Sequence, residues 1–293
     1  MTRAELFEQI KKKGSFLCVG LDSDIRKLSE HLRKELSKKN IHRDSELFAK
    51  AIYTFNKAIV DSTVKYAVCY KPNLAFYEAY GAPGIEALTQ TCSYIKRKYP
   101  EIFVIADAKR GDIGNTSELY ARAFIGQGDR GLFDAITLSP YMGRDTVAPF
   151  LKEKYDGKWA VILALTSNES AADFELQEMA DGRKLYEMVI DTSKGWGTPD
   201  NMMYVVGATQ AEMLEGIRRR IPDHFLLVPG VGAQGGSLEE VARYGMNSQC
   251  GLLVNSSRGI IFADNTENFA KVAGKKAKEI AGEMAGLLKK YLK

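Results

Sequence analysis

Short apolar runs alternate with amphipathic segments along most of the chain. The apolar runs are rich in β-branched and aromatic residues, as expected for parallel strands that are covered on both faces. These runs are Phe16 to Leu21, Tyr66 to Tyr70, Ile102 to Ile105, Phe133 to Leu138, Trp159 to Leu165, Met203 to Val206, Phe225 to Val228 and Leu252 to Val254. The amphipathic segments have helical spacing and include Glu46 to Val64, Gly84 to Lys98, Ala211 to Arg220 and Asn268 to Leu292. Eight strands alternating with helices predict a closed (β/α)8 barrel.

A doubly wound open sheet is the alternative α/β architecture. It is expected to have a glycine-rich turn after the first strand, where this chain has Asp22, Ser23 and Asp24. The length of 293 residues suits one barrel with additions. We therefore expect a single TIM barrel domain over residues 1–293, with N-terminal and C-terminal helices and an inserted segment at 170–201, between strands 5 and 6.

Charge and hydropathy exclude two other classes of protein. The net charge is +4 with 27% charged residues, and the basic residues are spread along the chain, which argues against binding of nucleic acid. No apolar run approaches the about 20 residues of a membrane span. The segment Met1 to Lys13 carries charges and no cleavable apolar core. We expect no membrane association and a cytoplasmic location.

Cysteine and histidine are not expected to carry the chemistry. The cysteines have neither metal-binding nor redox spacing and mostly fall in or beside apolar strands, so they are interpreted as structural. The histidines lie after the first strand or at the start of the seventh, which is the barrel end away from the catalytic face. A histidine triad or zinc site is therefore not predicted. The residues concerned are Cys18, Cys69, Cys92, Cys250, His31, His42 and His224.

Charged residues follow two of the predicted strands. Asp107, Lys109 and Asp112 come after the third strand, and Lys71 follows the second, directly before Pro72. Alternate residues of a strand share a face, so Asp107 and Lys109 are expected to point the same way. Ionised groups beside a buried strand are costly unless paired, and such clusters are more often functional than accidental. A structural ion pair is the alternative interpretation.

The loops after the last two strands have the features of a phosphate site. Residues 229–236 contain four glycines, and the loop after the eighth strand contains Arg258 and Gly259. TIM barrels commonly bind phosphate with these two loops, through glycine amides and a cationic side chain. Glycines also serve ordinary turns, so a plain turn is the alternative. The same glycines could allow the loop to move as a lid that carries Gln234.

Longer motifs follow all of the predicted strands except the fourth. They are Leu21-Asp22, Tyr70-Lys71-Pro72-Asn73-Leu74-Ala75-Phe76-Tyr77-Glu78, Asp107-x-Lys109-x-x-Asp112-Ile113-x-x-Thr116, Leu165-Thr166-Ser167-Asn168, Val206-Gly207-Ala208-Thr209, Pro229 to Gly236 and Ser257-Arg258-Gly259. Together they resemble the longer bacterial branch of the orotidine 5′-phosphate decarboxylase family. The resemblance covers essentially the whole chain, and the motif after the third strand, taken with Lys71, is highly specific.

The resemblance implies decarboxylation of orotidine 5′-phosphate to uridine 5′-phosphate and carbon dioxide, the last step of de novo pyrimidine nucleotide biosynthesis, without metal or cofactor. It makes Lys71, Asp107, Lys109 and Asp112 an alternating charge array. In this array Lys109 would protonate the carbon that loses carbon dioxide, and Asp107 would lie against the departing carboxylate. Asp112 would reach in from the other subunit of a homodimer with shared active sites.

The resemblance also implies the residues that bind the nucleotide. Ile113 and Thr116 would help to form the shared edge of the dimer. Asp22 and Lys71 would hold ribose hydroxyls, and Ser167 would contact the pyrimidine. The phosphate and the neighbouring part of the substrate would be held by Pro229, Gln234, Gly235, Arg258 and Gly259.

The chemistry of the charged residues favours a decarboxylase over three alternative functions. Decarboxylation of a pyrimidine nucleotide leaves a carbanion that must be stabilised electrostatically, and a lysine between two carboxylates stays charged as an acid. A Schiff-base aldolase needs a lysine of lowered pKa, which neighbouring carboxylates oppose. Metal-dependent sugar-phosphate lyases and decarboxylases that resemble this family have an acidic ligand where this chain has Lys71. A non-catalytic nucleotide-binding barrel has no need for so costly an array.

Overall fold

The computed structural model describes residues 1–37, 44–126, 131–232 and 235–292. Within these residues, eight parallel strands close into a barrel in the order β1 to β8, so the predicted (β/α)8 architecture is confirmed and an open sheet is excluded. The strands are β1 Leu17–Gly20, β2 Ala67–Lys71, β3 Phe103–Arg110, β4 Ala135–Leu138, β5 Trp159–Leu165, β6 Met202–Val206, β7 Phe225–Pro229 and β8 Leu252–Ser256.

The helices surround the barrel. They are α1 Arg3–Lys13, α2 Glu30–Ser37, α3 Asp44–Thr63, α4 Ala75–Glu78, α5 Gly81–Lys98, α6 Gly114–Ile125, α7 Arg144–Val147, α8 Leu185–Ser193, α9 Leu214–Arg220, α10 Leu238–Gly245, α11 Arg258–Ile261 and α12 Phe269–Tyr291. Phe55 of α3 stacks on Phe262 and Phe269, which ties α3 to the C-terminal helix α12. None of the described helices is long and apolar enough to cross a membrane.

Aromatic side chains close the N-terminal end of the barrel. Trp159, the first residue of β5, contacts Phe103 of β3 and Phe225 of β7 edge to face, with ring centroids 6.1 and 6.3 Å away. Its indole Nε1 donates a hydrogen bond of 2.8 Å to the carbonyl of Met1. Residues from alternate strands form such layers in TIM barrels. Because packed rings fill this end, a pocket has room to form at the opposite, C-terminal end.

The N-terminal helix α1 has both of its ends defined by local sequence. Thr2 accepts a hydrogen bond from the Glu5 amide, and the Glu5 carboxylate accepts one from the Thr2 amide, which forms a capping box. Gly14 ends the helix with φ of +59°, a conformation that glycine adopts without steric cost. The helix buries Leu6 and Ile10 in the core.

The third strand is longer than predicted. It extends to Arg110 instead of ending at Ile105, because the charged segment keeps backbone hydrogen bonds to both neighbouring strands. The amide of Asp107 donates to the carbonyl of Pro72 at 3.1 Å, and the amide of Ser139 donates to the carbonyl of Arg110 at 2.8 Å. The charged side chains therefore start from a hydrogen-bonded strand and not from a free loop.

Two further boundaries differ from the sequence-based predictions. The segment 170–201 contains α8, which is the helix that follows β5 in the regular barrel pattern, so it is not wholly an insertion. Helix α9 begins at Leu214 and not at Ala211, because a 3-10 helix at Ala208–Met213 precedes it. Such turns are frequent at the N-termini of α-helices.

Candidate active site

A pocket of about 320 Å³ opens at the C-terminal ends of the strands. Residues from all eight strands or their following loops line it, as is usual for active sites in this architecture. The structure brings together seven of the residues predicted from the sequence, which are Asp22, Lys71, Asp107, Lys109, Ser167, Pro229 and Arg258.

Three charged side chains form a continuous hydrogen-bonded array in this pocket. The Nζ atom of Lys71 donates to Oδ2 of Asp107 at 2.7 Å, and the Nζ atom of Lys109 donates to Oδ1 at 2.6 Å. The two side chains of the inner pair are nearly buried, with 5% of Lys71 and 8% of Asp107 exposed, whereas 50% of the Lys109 side chain is exposed. Lys109 is therefore the more accessible of the two lysines in the array.

The inner pair of Lys71 and Asp107 is ionised at neutral pH. Burial favours the neutral form of Asp107, but the charges of Lys71 and Lys109 outweigh it and lower the pKa of this carboxyl to about 2. Burial also opposes the charged form of Lys71, yet the carboxylates of Asp107 and Asp22 hold its pKa above the ordinary value. Each charge thus depends on its neighbours, as expected for paired ions removed from water.

The backbone of Lys109 is strained. Its φ of +46° lies in the left-handed region, which a residue with a Cβ atom seldom adopts. Such a conformation costs roughly 1–3 kcal/mol and persists where the surrounding structure enforces it. The strain places the side chain beside Asp107, although the backbone between them departs from the regular alternation assumed in the sequence analysis.

Asp22 lies close enough to Lys71 for its charge to raise the pKa of that lysine. Its Oδ2 atom accepts a hydrogen bond of 2.8 Å from the Ser257 hydroxyl. Its Oδ1 atom is buried and has no hydrogen-bond partner within the described residues. A buried carboxylate oxygen without a partner is costly. This atom is therefore available to accept a hydrogen bond from a hydroxyl group of a ligand.

Two neighbouring segments hold the loop that carries Ser167. The backbone of Gly207 passes so close that a Cβ atom there would lie 2.7 Å from Cα of Ser167, and Thr209 donates a hydrogen bond of 3.4 Å to the Ser167 carbonyl. On the other side, the Glu175 carboxylate accepts hydrogen bonds from the Thr166 amide at 2.6 Å and from its hydroxyl. The segment between β5 and β6 thus supports this edge of the pocket.

The candidate phosphate end is built by the loops after β7 and β8. Pro229 and Arg258 both line the pocket, together with Gly230, whose φ of +97° lets the chain turn at the end of β7. Gly235 instead lines a neighbouring cavity of about 230 Å³ beside α10. Gln234 lies outside the described residues, so the predicted lid is described only in part.

A protein-family model described as orotidine 5′-phosphate decarboxylase / HUMPS family matches residues 15–272. The chain belongs to this family. The membership inferred from the sequence motifs is thereby confirmed.

Relatives in this family match along nearly the whole chain. The orotidine 5′-phosphate decarboxylase of Phocaeicola vulgatus is 55% identical over 288 residues, which are 98% of this chain and 99% of that protein. The protein of the same name from Porphyromonas gingivalis is 54% identical over 294 residues and covers 98% of this chain and 100% of its own length. Both matches extend over nearly the full length of each protein.

Solved structures of the same family share the fold. The OMP decarboxylase of Leishmania donovani has 33% sequence identity and a TM-score of 0.79, and the match covers 98% of this chain and 99% of that chain. The orotidine 5′-monophosphate decarboxylase of Plasmodium berghei has a TM-score of 0.85 over 99% of both chains at 21% identity. At that identity the likeness concerns the fold alone.

Besides Gly235, four predicted residues lie away from the pocket lining in the part of the chain that the structure describes. Asp112 is half-buried, and its Oδ1 atom accepts a hydrogen bond of 2.7 Å from the adjacent amide of Ile113. The Ile113 side chain is 53% exposed, and Thr116 is exposed on α6. Gly259 is exposed in α11, next to Arg258. Within one subunit, Asp112 therefore makes no ion pair with the described residues of the array.

Several polar residues line the pocket without having been assigned a role from the sequence. Asn73 and Asn168 stand within the quoted motifs, whereas Thr137 lies in β4, for which no motif was carried over. Thr137 and Asn255 are polar residues near the C-terminal ends of otherwise apolar strands, and that pattern could have marked them. The full set consists of Asn73, Thr137, Thr166, Asn168, Asn255, Ser256 and Ser257.

The cysteines and histidines lie as the sequence suggested, as far as they are described. All four cysteines are free and buried. His31 is exposed on α2, and His224 is buried just before β7, at the closed end of the barrel. His42 lies outside the described residues. No group of three or more potential metal ligands occurs among the described histidine, cysteine, aspartate and glutamate residues.

Proposed function

We propose that this chain decarboxylates orotidine 5′-phosphate to uridine 5′-phosphate and carbon dioxide, using the array of Lys71, Asp107 and Lys109. Membership of the decarboxylase family and full-length relatives that carry this name support the reaction. The observation that carries the assignment of residues is the half-exposed ammonium group of Lys109, held 2.6 Å from a carboxylate that is ionised at neutral pH.

The reaction requires a charged acid at the carbon that loses its carboxylate. When the bond between the ring and the carboxylate breaks, carbon dioxide leaves and the electron pair stays on the ring carbon. The Lys109 ammonium stabilises the developing negative charge and then transfers a proton to that carbon, after which the lysine regains a proton from water. Asp107 orients the Lys109 ammonium through their hydrogen bond, and it lies where the departing carboxylate would be repelled.

The remaining pocket residues bind different parts of the substrate. Asp22, with its unpartnered Oδ1 atom, and Lys71 both line the pocket and suit ribose hydroxyls. Ser167 would contact the pyrimidine, while Arg258 and the glycine-rich loop would bind the phosphate, with Gln234, Gly235 and Gly259 completing that site. Binding energy from the phosphate, which does not react, can help to order the reacting end.

The complete site is proposed to form in a two-fold homodimer. Asp112 would then enter the partner's pocket and add the second carboxylate beside Lys109, with Ile113 and Thr116 at the shared edge. The exposure of large apolar side chains beside this edge supports the arrangement, because Ile113, Tyr141 and Met142 are 53%, 87% and 49% exposed in one subunit. Exposed large apolar side chains of this kind are consistent with an interaction site.

The direct test is the loss of ultraviolet absorbance from orotidine 5′-phosphate on addition of the purified protein, with and without exhaustive chelation. We expect equal rates, because the two ammonium groups of Lys71 and Lys109 supply the positive charge and repel a divalent cation. Activity that disappears with chelator and returns with magnesium or zinc would instead assign the chain to the metal-dependent sugar-phosphate branch of the barrel family. Binding of uridine 5′-phosphate without turnover would indicate a non-catalytic nucleotide-binding barrel.

A further inference from the structure

The pairing of β3 with β4 is interrupted beside the active site. Ala106 pairs with Ile136 and Arg110 pairs with Leu138, so the three residues between them on β3 face the single residue Thr137 on β4. The surplus residues form a bulge, a feature that redirects side chains and is frequent beside active sites. This bulge contains Asp107 and Lys109, and it includes the left-handed backbone of Lys109.

The hydroxyl of Thr137 takes the place of the missing strand pairing. The amides of Ala108 and Lys109 both donate to its Oγ1 atom at 2.9 Å. The same hydroxyl donates its proton to Oδ1 of Asp107 at 3.1 Å. A hydroxyl group offers one donor and two acceptor lone pairs, so its hydrogen-bonding capacity is fully used. Thr137 is 1% exposed, and water cannot readily substitute for it.

The other side of the bulge is also held. The guanidinium of Arg110 donates to the carbonyl of Ala108 at 3.0 Å and forms an ion pair with Glu78. The carbonyl of Asp107 accepts from the amide of Leu74 at 3.1 Å. Thr137 is nevertheless the group that touches both the Asp107 carboxylate and the backbone of Lys109. The Thr137 hydroxyl thus connects Asp107 with Lys109, whose ammonium group binds the same Oδ1 atom of Asp107.

We propose that Thr137 is a positioning residue for the decarboxylation, a role that rests on the proposed function. Its hydroxyl holds the Lys109 backbone in the left-handed conformation and turns the Asp107 carboxylate toward the Lys109 ammonium. Loss of the hydroxyl leaves the amides of Ala108 and Lys109 without this acceptor, and the bulge relaxes. A displacement of about 1 Å between reacting groups is enough to reduce a rate roughly 100-fold.

The test compares three variants. Thr137→Val keeps the shape and removes the hydroxyl, Thr137→Ser keeps the hydroxyl, and Thr146→Val removes another buried threonine hydroxyl, one without a hydrogen-bond partner in the described part of the chain. We expect Thr137→Val to lower kcat about 100-fold while KM and the Kd of uridine 5′-phosphate change less than about threefold. Thr137→Ser and Thr146→Val should keep kcat within about threefold of wild type.

Hydrogen exchange of the Ala108 and Lys109 amides gives a readout that needs no substrate. Both amides should be protected in the wild type and in Thr137→Ser, and both should exchange faster in Thr137→Val. Wild-type kcat in Thr137→Val, or equal losses in the serine and valine variants, would overturn the proposal.

Hydrogen exchange of these two amides in the wild type also tests the proposal if Thr137→Val does not fold. Unprotected amides at both positions would refute the bond to Thr137, and protection retained together with full activity in Thr137→Ser would support it. A wild type that lacks decarboxylase activity but protects both amides would contradict the proposed function and, with it, the catalytic part of this role. An active wild type with unprotected amides would contradict the role of Thr137 alone.

Discussion

The Nζ atom of Lys71 lies 2.7 Å from Oδ2 of Asp107, and both side chains are almost completely buried. Removal of either partner would leave an uncompensated buried charge, which typically costs about 3–5 kcal/mol of stability. A loss of activity in such a variant would therefore combine an effect on folding stability with an effect on catalysis. Lys109, half-exposed and joined to the same carboxylate, is the better position for separating the two.

Lys109→Ala should fold and still bind uridine 5′-phosphate, because the inner pair of Lys71 and Asp107 remains. Removal of a general acid lowers turnover by about 10²- to 10⁴-fold, and the loss of charge stabilisation adds to this effect. The measurements are kcat, the Kd of the product and the unfolding temperature. Lys276→Ala on α12 is a matched control, since this lysine is 48% exposed and also paired with a carboxylate. Turnover at a tenth of the wild-type value would refute the role of Lys109.

Arg258→Ala should weaken binding of a phosphorylated nucleotide far more than binding of the corresponding nucleoside. A hydrogen bond to a charged group contributes about 1.5–3 kcal/mol, which corresponds to about a 10- to 100-fold change in Kd. Calorimetry with uridine 5′-phosphate and with uridine measures the difference, and Arg219→Ala on α9 controls for loss of a surface arginine. Equal losses for both ligands would show that Arg258 does not bind the phosphate.

Mixed dimers of Lys109→Ala and Asp112→Ala test the proposed shared site. Each homodimer lacks one member of both sites, whereas a mixed dimer contains one intact site and one doubly altered site. Random exchange of equal amounts makes about half of the dimers mixed, so activity should recover to about a quarter of the wild-type value. Mass spectrometry confirms that exchange has occurred. Mixed dimers without recovered activity would mean that Asp112 acts within its own chain.

His224 should make the fold sensitive to mild acid. Burial, together with the charge of Arg218, lowers the pKa of His224 to about 4, and neither ring nitrogen has a hydrogen-bond partner among the described residues. Because the folded pKa is below the ordinary value of 6.5, the unfolded chain binds the proton first as the pH falls. The free energy of unfolding should therefore decrease between about pH 6.5 and pH 4, by up to about 1.4 kcal/mol per pH unit.

The variant His224→Phe isolates this contribution. A phenyl ring can keep the contact with Tyr204, whose ring centroid lies 5.5 Å from that of His224, but it cannot take up a proton. Urea denaturation of wild type and variant at pH 7, 5.5 and 4.5 should show a gap that grows in favour of the variant as the pH falls. Parallel curves at all three values would mean that His224 does not titrate in this way.

Local periodicity and residue type were sufficient to predict the barrel and much of its site. Eight apolar runs separated by helical segments specify a parallel closed sheet, because each run must be covered on both faces. In such a sheet the residues after successive strands meet at one end, which is why Asp22, Lys71, Lys109 and Arg258 could be assigned to one pocket before their distances were known.

Contacts between strands decided the remaining features of the site. The pattern of residues does not reveal that β3 carries surplus residues opposite Thr137, since register depends on contacts between segments that are distant in the sequence. The left-handed backbone of Lys109, the low pKa of Asp107 and the unpartnered oxygen of Asp22 likewise follow from burial and from neighbours on other strands. The sequence by itself determined that Asp22, Lys71, Asp107, Lys109 and Arg258 reach one pocket, and the tertiary structure decided how each is held, because pairing and desolvation arise only when the strands pack together.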